Sequence, residues 1–205
     1  GFEQNLLSLT PAGTERWLSH GTRWAYGLSV AEGRVALTDT GGGGLFSTAT
    51  GSAVTPASGP AAYSADPGFE ALLASGVGFE FARPQSVCCA NCPCPMAIPE
   101  LKLVAFSTST AEVLWDARLD PNAYPTVPTP MVSEPALTAA GEVLFAQGPD
   151  LSSYPVVNGQ WLKAITSAGA ERFSCALPPA APYDAVAYEA AVLLAGRWVV
   201  ATQAQ

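Results

Sequence analysis

The sequence has 205 residues, of which 49% are hydrophobic and 13% charged, so it can bury a sizeable core and lacks the composition of a disordered chain. Its 19 glycines and 18 prolines are spread along the whole length, which favours many short strands joined by turns over long helices. A net charge of −8 without a basic cluster argues against nucleic acid or an anionic membrane surface as partners. No apolar run reaches the roughly 18 residues of a membrane span.

The first predicted elements are short strands around glycine turns. LLSLTPAGTERW, Leu6 to Trp17, holds two strand-like runs on either side of Gly13. GRVALTDTGGGGLFSTATGSAVT, Gly33 to Thr55, holds three such runs separated by a glycine-rich turn and a second turn that ends at Gly51. Glycine supplies the positive φ that tight turns require, so this segment predicts an antiparallel β-meander.

Parts of this meander recur towards the C-terminus. Strand-like runs stand at GVGFEFA (76–82) and KLVAFS (102–107), the first half returns as GEVLFAQ (141–147), and AVLLAGRWVVA (191–201) is predicted to be a hairpin. The second half returns in VAFSTSTAEVLW (104–115) and LKAITSAGAERF (162–173). The copies share a turn position, held by Gly13, Gly51, Ala111 and Gly169, and an aromatic position four residues later, held by Trp17, Trp115 and Phe173. Glycine and aromatic residues at fixed offsets, with a period of roughly 40 to 60 residues, are typical of propeller blades.

The repeat resembles that of the pyrroloquinoline-quinone-type β-propellers, whose pattern combines G-x-V-Y-V with G-x-L-Y-A-L-D-x-x-T-G-x-x-x-W. The cleanest copies are Gly33 to Thr55 and Leu6 to Trp17. The resemblance implies an all-β fold, a propeller of several four-stranded antiparallel blades around a central axis. Trp17, Trp115, Phe173 and Trp198 could line a ligand face, but from their place at the repeat offset we expect them to pack between adjacent blades.

We interpret residues 1–205 as a single propeller domain or a propeller fragment. Three blades are predicted near 22–57, 66–120 and 128–178, with partial blades at 1–19 and 183–205. The first partial blade supplies only the last two strands, and the second supplies only the first two. The two ends therefore either close a ring of about four blades or belong to an arc of a larger propeller that another polypeptide completes. We expect the arc, because propellers of this kind more often have seven or eight blades and a four-bladed ring would be unusual. A lone open fragment would expose strand edges, which are an aggregation liability.

A cysteine- and proline-rich loop, 83–99, is inserted between the second and third strands of the blade predicted near 66–120. We expect structural disulfides among Cys88, Cys89, Cys92 and Cys94, with Cys175 as a further candidate. A metal site made by Cys88, Cys89, Cys92 and Cys94 is the alternative, although structural zinc usually takes two separated pairs of ligands. The family resemblance adds a redox alternative, because quinoprotein alcohol dehydrogenases stack their quinone on adjacent disulfide-bonded cysteines and Cys88 and Cys89 are adjacent.

The other candidate sites have simpler interpretations. Asp39 to Gly44 lacks the Lys-Ser/Thr and the helix of a phosphate-binding loop, and the segment is predicted to be a hairpin turn. His20 has no nucleophile at a fixed offset, and Asp150 and Asn158 do not have EF-hand spacing. Trp24 and Trp161 stand outside the repeat offset and are candidate anchors for a partner.

The sequence therefore predicts an exported, bacterial β-propeller module without enzymatic activity, serving as a scaffold or protein-interaction unit. We expect an extracellular, periplasmic or cell-surface location, a protein partner or second chain, and no cofactor. The alternatives are a quinoprotein dehydrogenase remnant or subunit with pyrroloquinoline quinone, and a metal-binding module built on the cysteine loop. Fold alone does not choose among them, since propellers host both binding and catalysis.

Overall fold

The computed structural model describes residues 4–22, 25–39, 44–57, 63–65, 69–84, 101–119, 132–147, 161–176, 186–194 and 197–204. Every regular element in these ranges is a β-strand. None of the described segments is a helix long and apolar enough to cross a membrane. The chain forms two compact units, one made of residues 1–85 and 103–115 and the other of residues 86–102 and 116–205.

Five antiparallel sheets follow one another along the chain, and we number them I to V. Sheet I is the pair β1 (Gln4–Leu9) and β2 (Glu15–Thr22), and sheet V is the pair β16 (Val186–Leu194) and β17 (Arg197–Ala204). Sheet II has the order β3 (Ala25–Ala31), β4 (Arg34–Asp39), β5 (Gly44–Ser47) and β6 (Ala53–Val54). Sheet IV has the order β12 (Ala136–Leu137), β13 (Val143–Gln147), β14 (Trp161–Ile165) and β15 (Glu171–Ala176).

Sheet III differs from its neighbours in its first strand. This strand is divided into β7 (Tyr63–Ala65) and β8 (Leu72–Ala74), which both pair with β9 (Val77–Pro84). The sheet continues through β10 (Lys102–Ser107) to β11 (Val113–Arg118). The all-β, four-stranded organisation predicted from the repeat is therefore confirmed, with one interrupted strand that the sequence pattern did not predict.

The repeated turns have a common backbone conformation. At the turn between the third and fourth strands, Gly13, Gly51, Ala111 and Gly169 have φ values of 81°, 70°, 58° and 83°. At the turn between the first and second strands, Gly33, Gly76 and Gly141 have φ values of 76°, 80° and 76°. Glycine occupies such left-handed positions without the Cβ clash that other residues incur, which explains why glycine recurs at these turns. Ala111 is the exception.

Each unit has its own core, and the middle strands of the sheets carry most of the buried apolar residues. In the first unit, Ala36 and Leu45 of sheet II pack with Leu73 and Phe106 of sheet III. In the second unit, all five residues of β13 are buried, and Leu144 packs with Leu162 and Phe173. The backbone of β16 lies against β13 and β12. Near-continuous apolar runs in the second and third strands match this burial on both faces.

Candidate functional site

Sheet I presents an apolar surface on one of its two faces. Leu7 and Leu9 alternate along β1, and Leu18 of β2 lies directly opposite Leu7. Their exposed fractions are 48%, 51% and 37%. We call these three residues the leucine face. Large apolar side chains left next to one another on a strand pair are typical of a surface that another molecule covers.

The other face of sheet I contacts sheet II through Trp17. The indole Nε1 of Trp17 donates a hydrogen bond of 2.8 Å to the carbonyl oxygen of Thr48. Its ring lies on Gly51, where a Cβ atom would come within 2.6 Å of the indole. Gly51 is therefore required twice, by its positive φ and by the close approach of the tryptophan. Packing of Trp17 at this point fixes which face of sheet I is left for other contacts.

One face of sheet II is apolar and unevenly exposed. Val30 pairs with Val35 and Leu28 pairs with Leu37, so these four side chains share the face of sheet II opposite to Ala36 and Leu45. Val35 and Leu37 on β4 are each 5% exposed, whereas Leu28 and Val30 on the edge strand β3 are 49% and 61% exposed. The apolar face of sheet II is thus buried at its second strand and open at its first.

Sheet III contains a carboxyl group at a position that is apolar in the other copies of the repeat. Aligning GVGFEFA with GRVALTD and GEVLFAQ places Glu80 where the other copies have Leu37 and Phe145, which are buried. Glu80 is half-buried, and burial raises the pKa of its carboxyl to about 7. The pairs of β9 with β7 and β8 leave Glu80 and Phe81 between the two segments of the divided strand.

The cysteine predictions rest mainly on Cys88, Cys89, Cys92 and Cys94. These four residues belong to the segment 85–100, which lies outside the described residues. Cys175 on β15 is exposed as a free thiol, and its Sγ lies 3.7 Å from the carbonyl oxygen of Ala176. Within the described ranges, no three His, Cys, Asp or Glu residues are grouped so that they could hold a metal ion. The disulfide, metal and redox interpretations of the loop therefore remain predictions.

The predicted aromatic residues lie at separate places. The rings of Trp115 and Phe79 have centroids 6.0 Å apart in the first unit, and Phe173 packs on the core of sheet IV in the second. Trp161 begins β14, is half-buried, and lies opposite Gln147, whose buried Oε1 accepts no hydrogen bond from the described residues. Trp198 belongs to β17, and Trp24 lies outside the described residues. Blade packing and partner binding by these residues stay predictions.

The remaining predicted positions add little to the site. His20 is in β2, and Asp39 ends β4. Asp150 and Asn158 lie outside the described residues. Neither the leucine face nor Glu80 was predicted from the sequence. The signals were present, because Leu7 and Leu9 alternate in a strand and Glu80 interrupts an apolar column of the repeat alignment.

Comparison with known proteins gives a likeness of fold. No protein-family model matches the chain, and no curated protein matches it. Among solved structures, a europium-containing methanol dehydrogenase matches with a TM-score of 0.56 and 11% identity, over 98% of this chain and 43% of that chain. BamB from Moraxella catarrhalis matches with a TM-score of 0.48 and 12% identity, over 84% of this chain and 44% of its own. The chain thus spans less than half the length of these structures. The match to the methanol dehydrogenase shows a likeness of fold, and this fold resembles that of the pyrroloquinoline-quinone-type β-propellers.

Proposed function

We propose that this chain is a β-propeller module that binds another protein and has no catalytic role of its own. The observation that carries the proposal is the leucine face, made by Leu7, Leu9 and Leu18 on a sheet of which the described residues form two strands. Three half-exposed leucines side by side form the apolar centre of a small interface, and complete burial of a leucine side chain contributes about 1.5–3 kcal/mol. A protein surface with apolar side chains of its own is the partner that fits.

The edge of sheet I strengthens the proposal. β1 pairs with β2 and with no other strand among the described residues. Its second edge therefore offers backbone N–H and C=O groups next to the leucine face. An extended segment of a partner can satisfy those groups by adding a strand, and its side chains then pack on the same apolar surface.

We also propose that the module works in an oxidising compartment outside the cytoplasm. Four cysteines within seven positions, at Cys88, Cys89, Cys92 and Cys94, support this location, because such loops are stapled by disulfides in exported proteins. Mass analysis of the unreduced protein should then show a deficit of about four hydrogens for two disulfides. Free alkylation of all five cysteines without reductant would contradict the proposal.

Photo-crosslinking tests the binding role. A benzophenone amino acid at Leu18 is compared with the same group at Val113 on β11, whose exposure of 42% is close to the 37% of Leu18. We expect an adduct with a second polypeptide from position 18 and none from position 113. Equal crosslinking at both positions, or none at position 18, would count against the leucine face as a binding surface. A quinone absorbance band together with calcium-dependent dye reduction would overturn the non-catalytic role.

A further inference from the structure

Two tight turns of the first unit share an uncommon backbone conformation. The sheet II turn, between β3 and β4, consists of Glu32 and Gly33, which have φ values of 51° and 76°. The sheet III turn, between β8 and β9, consists of Ser75 and Gly76, which have φ values of 52° and 80°. Positive φ at both central residues is typical of the type I′ turn of two-residue hairpins, so the two turns present their backbone groups in the same way.

The sheet III turn holds a carboxylate. One carboxylate oxygen of Glu32 accepts a hydrogen bond of 2.5 Å from the backbone N–H of Ser75, and the other accepts one of 2.7 Å from the N–H of Gly76. Successive N–H groups that point the same way form a small concavity that binds anions. Hydrogen bonds to an ionised group are stronger than those between neutral groups. A turn of this conformation therefore acts as a carboxylate receptor in this protein.

The sheet II turn has the same two donors and no acceptor for them. Glu32 and Gly33 are both exposed, and neither backbone N–H group donates a hydrogen bond to a residue that the structure describes. The guanidinium group of Arg34 lies beside this turn, where its Nη1 donates a hydrogen bond of 3.2 Å to the carbonyl oxygen of Gly33. A fixed positive charge next to two free N–H groups favours an anion over a neutral acceptor. In the sheet III turn the corresponding position is Val77.

We propose that the sheet II turn is a binding site for a carboxylate group, which its two N–H groups hold as those of the sheet III turn hold Glu32. The proposal goes beyond the function proposed above and does not require the leucine face. A small organic acid and an acidic side chain of a bound protein offer the same chemistry to this turn. Two exposed hydrogen bonds hold a free ion weakly, whereas a side chain that a bound protein keeps in place is at high local concentration.

Amide NMR with acetate as the probe tests the site, because a hydrogen bond to a carboxylate moves the signal of an amide proton downfield. We expect the amide signals of Glu32 and Gly33 to move on addition of sodium acetate. They should stay in place with sodium chloride at the same ionic strength and with neutral acetamide. Gly141 is the internal control, since its N–H donates to the carbonyl oxygen of Thr138 at 2.9 Å. Equal shifts with acetate and acetamide would overturn the carboxylate as the ligand.

Glu32→Ala supplies a matched positive control. It removes the carboxylate from the sheet III turn, so the amide signals of Ser75 and Gly76 should respond to acetate in this variant and not in the unmodified protein. A response there, together with none from Glu32 and Gly33 in the unmodified protein, would overturn the proposal, because the same probe would fill one turn and not the other. No response at either turn would overturn it as well.

The concentration dependence distinguishes the two sources of the carboxylate. Saturation of the shifts below about 1 mM acetate would identify a free organic acid as the ligand, whereas shifts that keep growing above this concentration would identify an acidic side chain of a bound protein. The site and the leucine face fail separately. An adduct from position 18 without acetate-dependent shifts keeps the binding role and excludes the carboxylate site, and shifts without an adduct do the reverse.

Discussion

Sheets II and III come from the same repeat, yet their second strands fill the core in different ways. β4 has Val35 and Leu37, both buried, where β9 has Gly78 and Glu80. In sheet III the ring of Phe106 occupies the space over Gly78, and a Cβ atom there would come within 2.2 Å of the ring. The repeat therefore fixes the backbone and its turns, whereas the volume of the core is balanced locally between facing residues.

The same comparison explains the divided first strand of sheet III. In sheet II, β3 pairs with β4 along its length, from Ala25 opposite Asp39 to Ala31 opposite Arg34. In sheet III the first strand is interrupted beside Glu80. Phe69, which lies between β7 and β8, packs edge-on against Phe81, and the centroids of the two rings are 4.9 Å apart. Sheet III thus departs from the repeat where an acidic residue enters an apolar position.

The largest effect is expected from Gly78→Ala. The new methyl group would overlap the ring of Phe106, and overpacking of this kind costs about 1–3 kcal/mol or more. Urea unfolding should show this loss of stability, with partial recovery in the double variant Gly78→Ala, Phe106→Leu. Gly44→Ala is the control, because its Cβ would lie 3.0 Å from the ring edge of Phe46, a milder contact than the 2.2 Å at Gly78. Equal destabilisation by the two single variants would show that Phe106 is not held as described.

Glu80 should make stability depend on pH. Its pKa of about 7 in the folded chain lies above its ordinary value of 4.5, so the folded state holds a proton that the unfolded state releases. The contribution of this proton to the free energy of unfolding is complete below about pH 4.5, falls as pH rises towards 7, and is lost above 7. The total change in the free energy of unfolding is at most about 3 kcal/mol.

The difference in unfolding free energy between the unmodified protein and Glu80→Gln measures this change. We expect Glu80→Gln to gain on the unmodified protein between pH 5 and pH 8. Glu134→Gln, the same change at an exposed position, is the matched control. A pH-independent difference for Glu80→Gln would mean that the carboxyl titrates as it does in water.

Glu32 joins sheets II and III at their matching turns. Its two carboxylate oxygens accept hydrogen bonds from the backbone N–H groups of Ser75, at 2.5 Å, and Gly76, at 2.7 Å. Nearby, Nε of Arg34 donates to the carbonyl oxygen of Thr108 at 2.6 Å. Hydrogen bonds to a charged group contribute more than neutral ones, so we expect Glu32→Ala to cost about 1–2 kcal/mol despite the exposure of the site.

The measurement for Glu32→Ala is urea unfolding beside Glu134→Ala. Glu134 is exposed, and a change there should stay within about 0.5 kcal/mol. A loss no larger for Glu32→Ala than for Glu134→Ala would show that the two turns are not coupled.

The smallest effect concerns Ala111, which has φ of 58° where the other copies of the turn have glycine. Ala111→Gly removes the Cβ clash and should stabilise the protein by about 0.5–1 kcal/mol. Gly13→Ala should have the opposite sign, because its φ is 81° and no atom lies within 4 Å of the new Cβ, so that only backbone strain changes. Thermal unfolding of the two variants gives both signs, and a shared sign would contradict the account.

Much of the fold follows from the sequence because glycine turns and apolar runs are local signals. Gly13, Gly51 and Gly169 mark turns that the structure places in one conformation, and the run 143–147 is a buried strand. The divided strand beside Glu80 was not predicted, because it depends on which residues face one another across sheets. The exposure of Leu28 and Val30 was missed for the same reason, since burial depends on what covers a strand and a strand pattern does not encode that.

Hydrogen–deuterium exchange of β1 tests most directly whether its free edge is a docking edge. With the polypeptide captured at position 18 bound, we predict slow exchange for the peptide that covers Gln4–Leu9, and a marked acceleration in the protein alone, while the peptide that covers Val143–Gln147 stays protected in both. Fast exchange of β1 with and without that polypeptide, equal to that of the exposed turn at 11–14, would contradict the account.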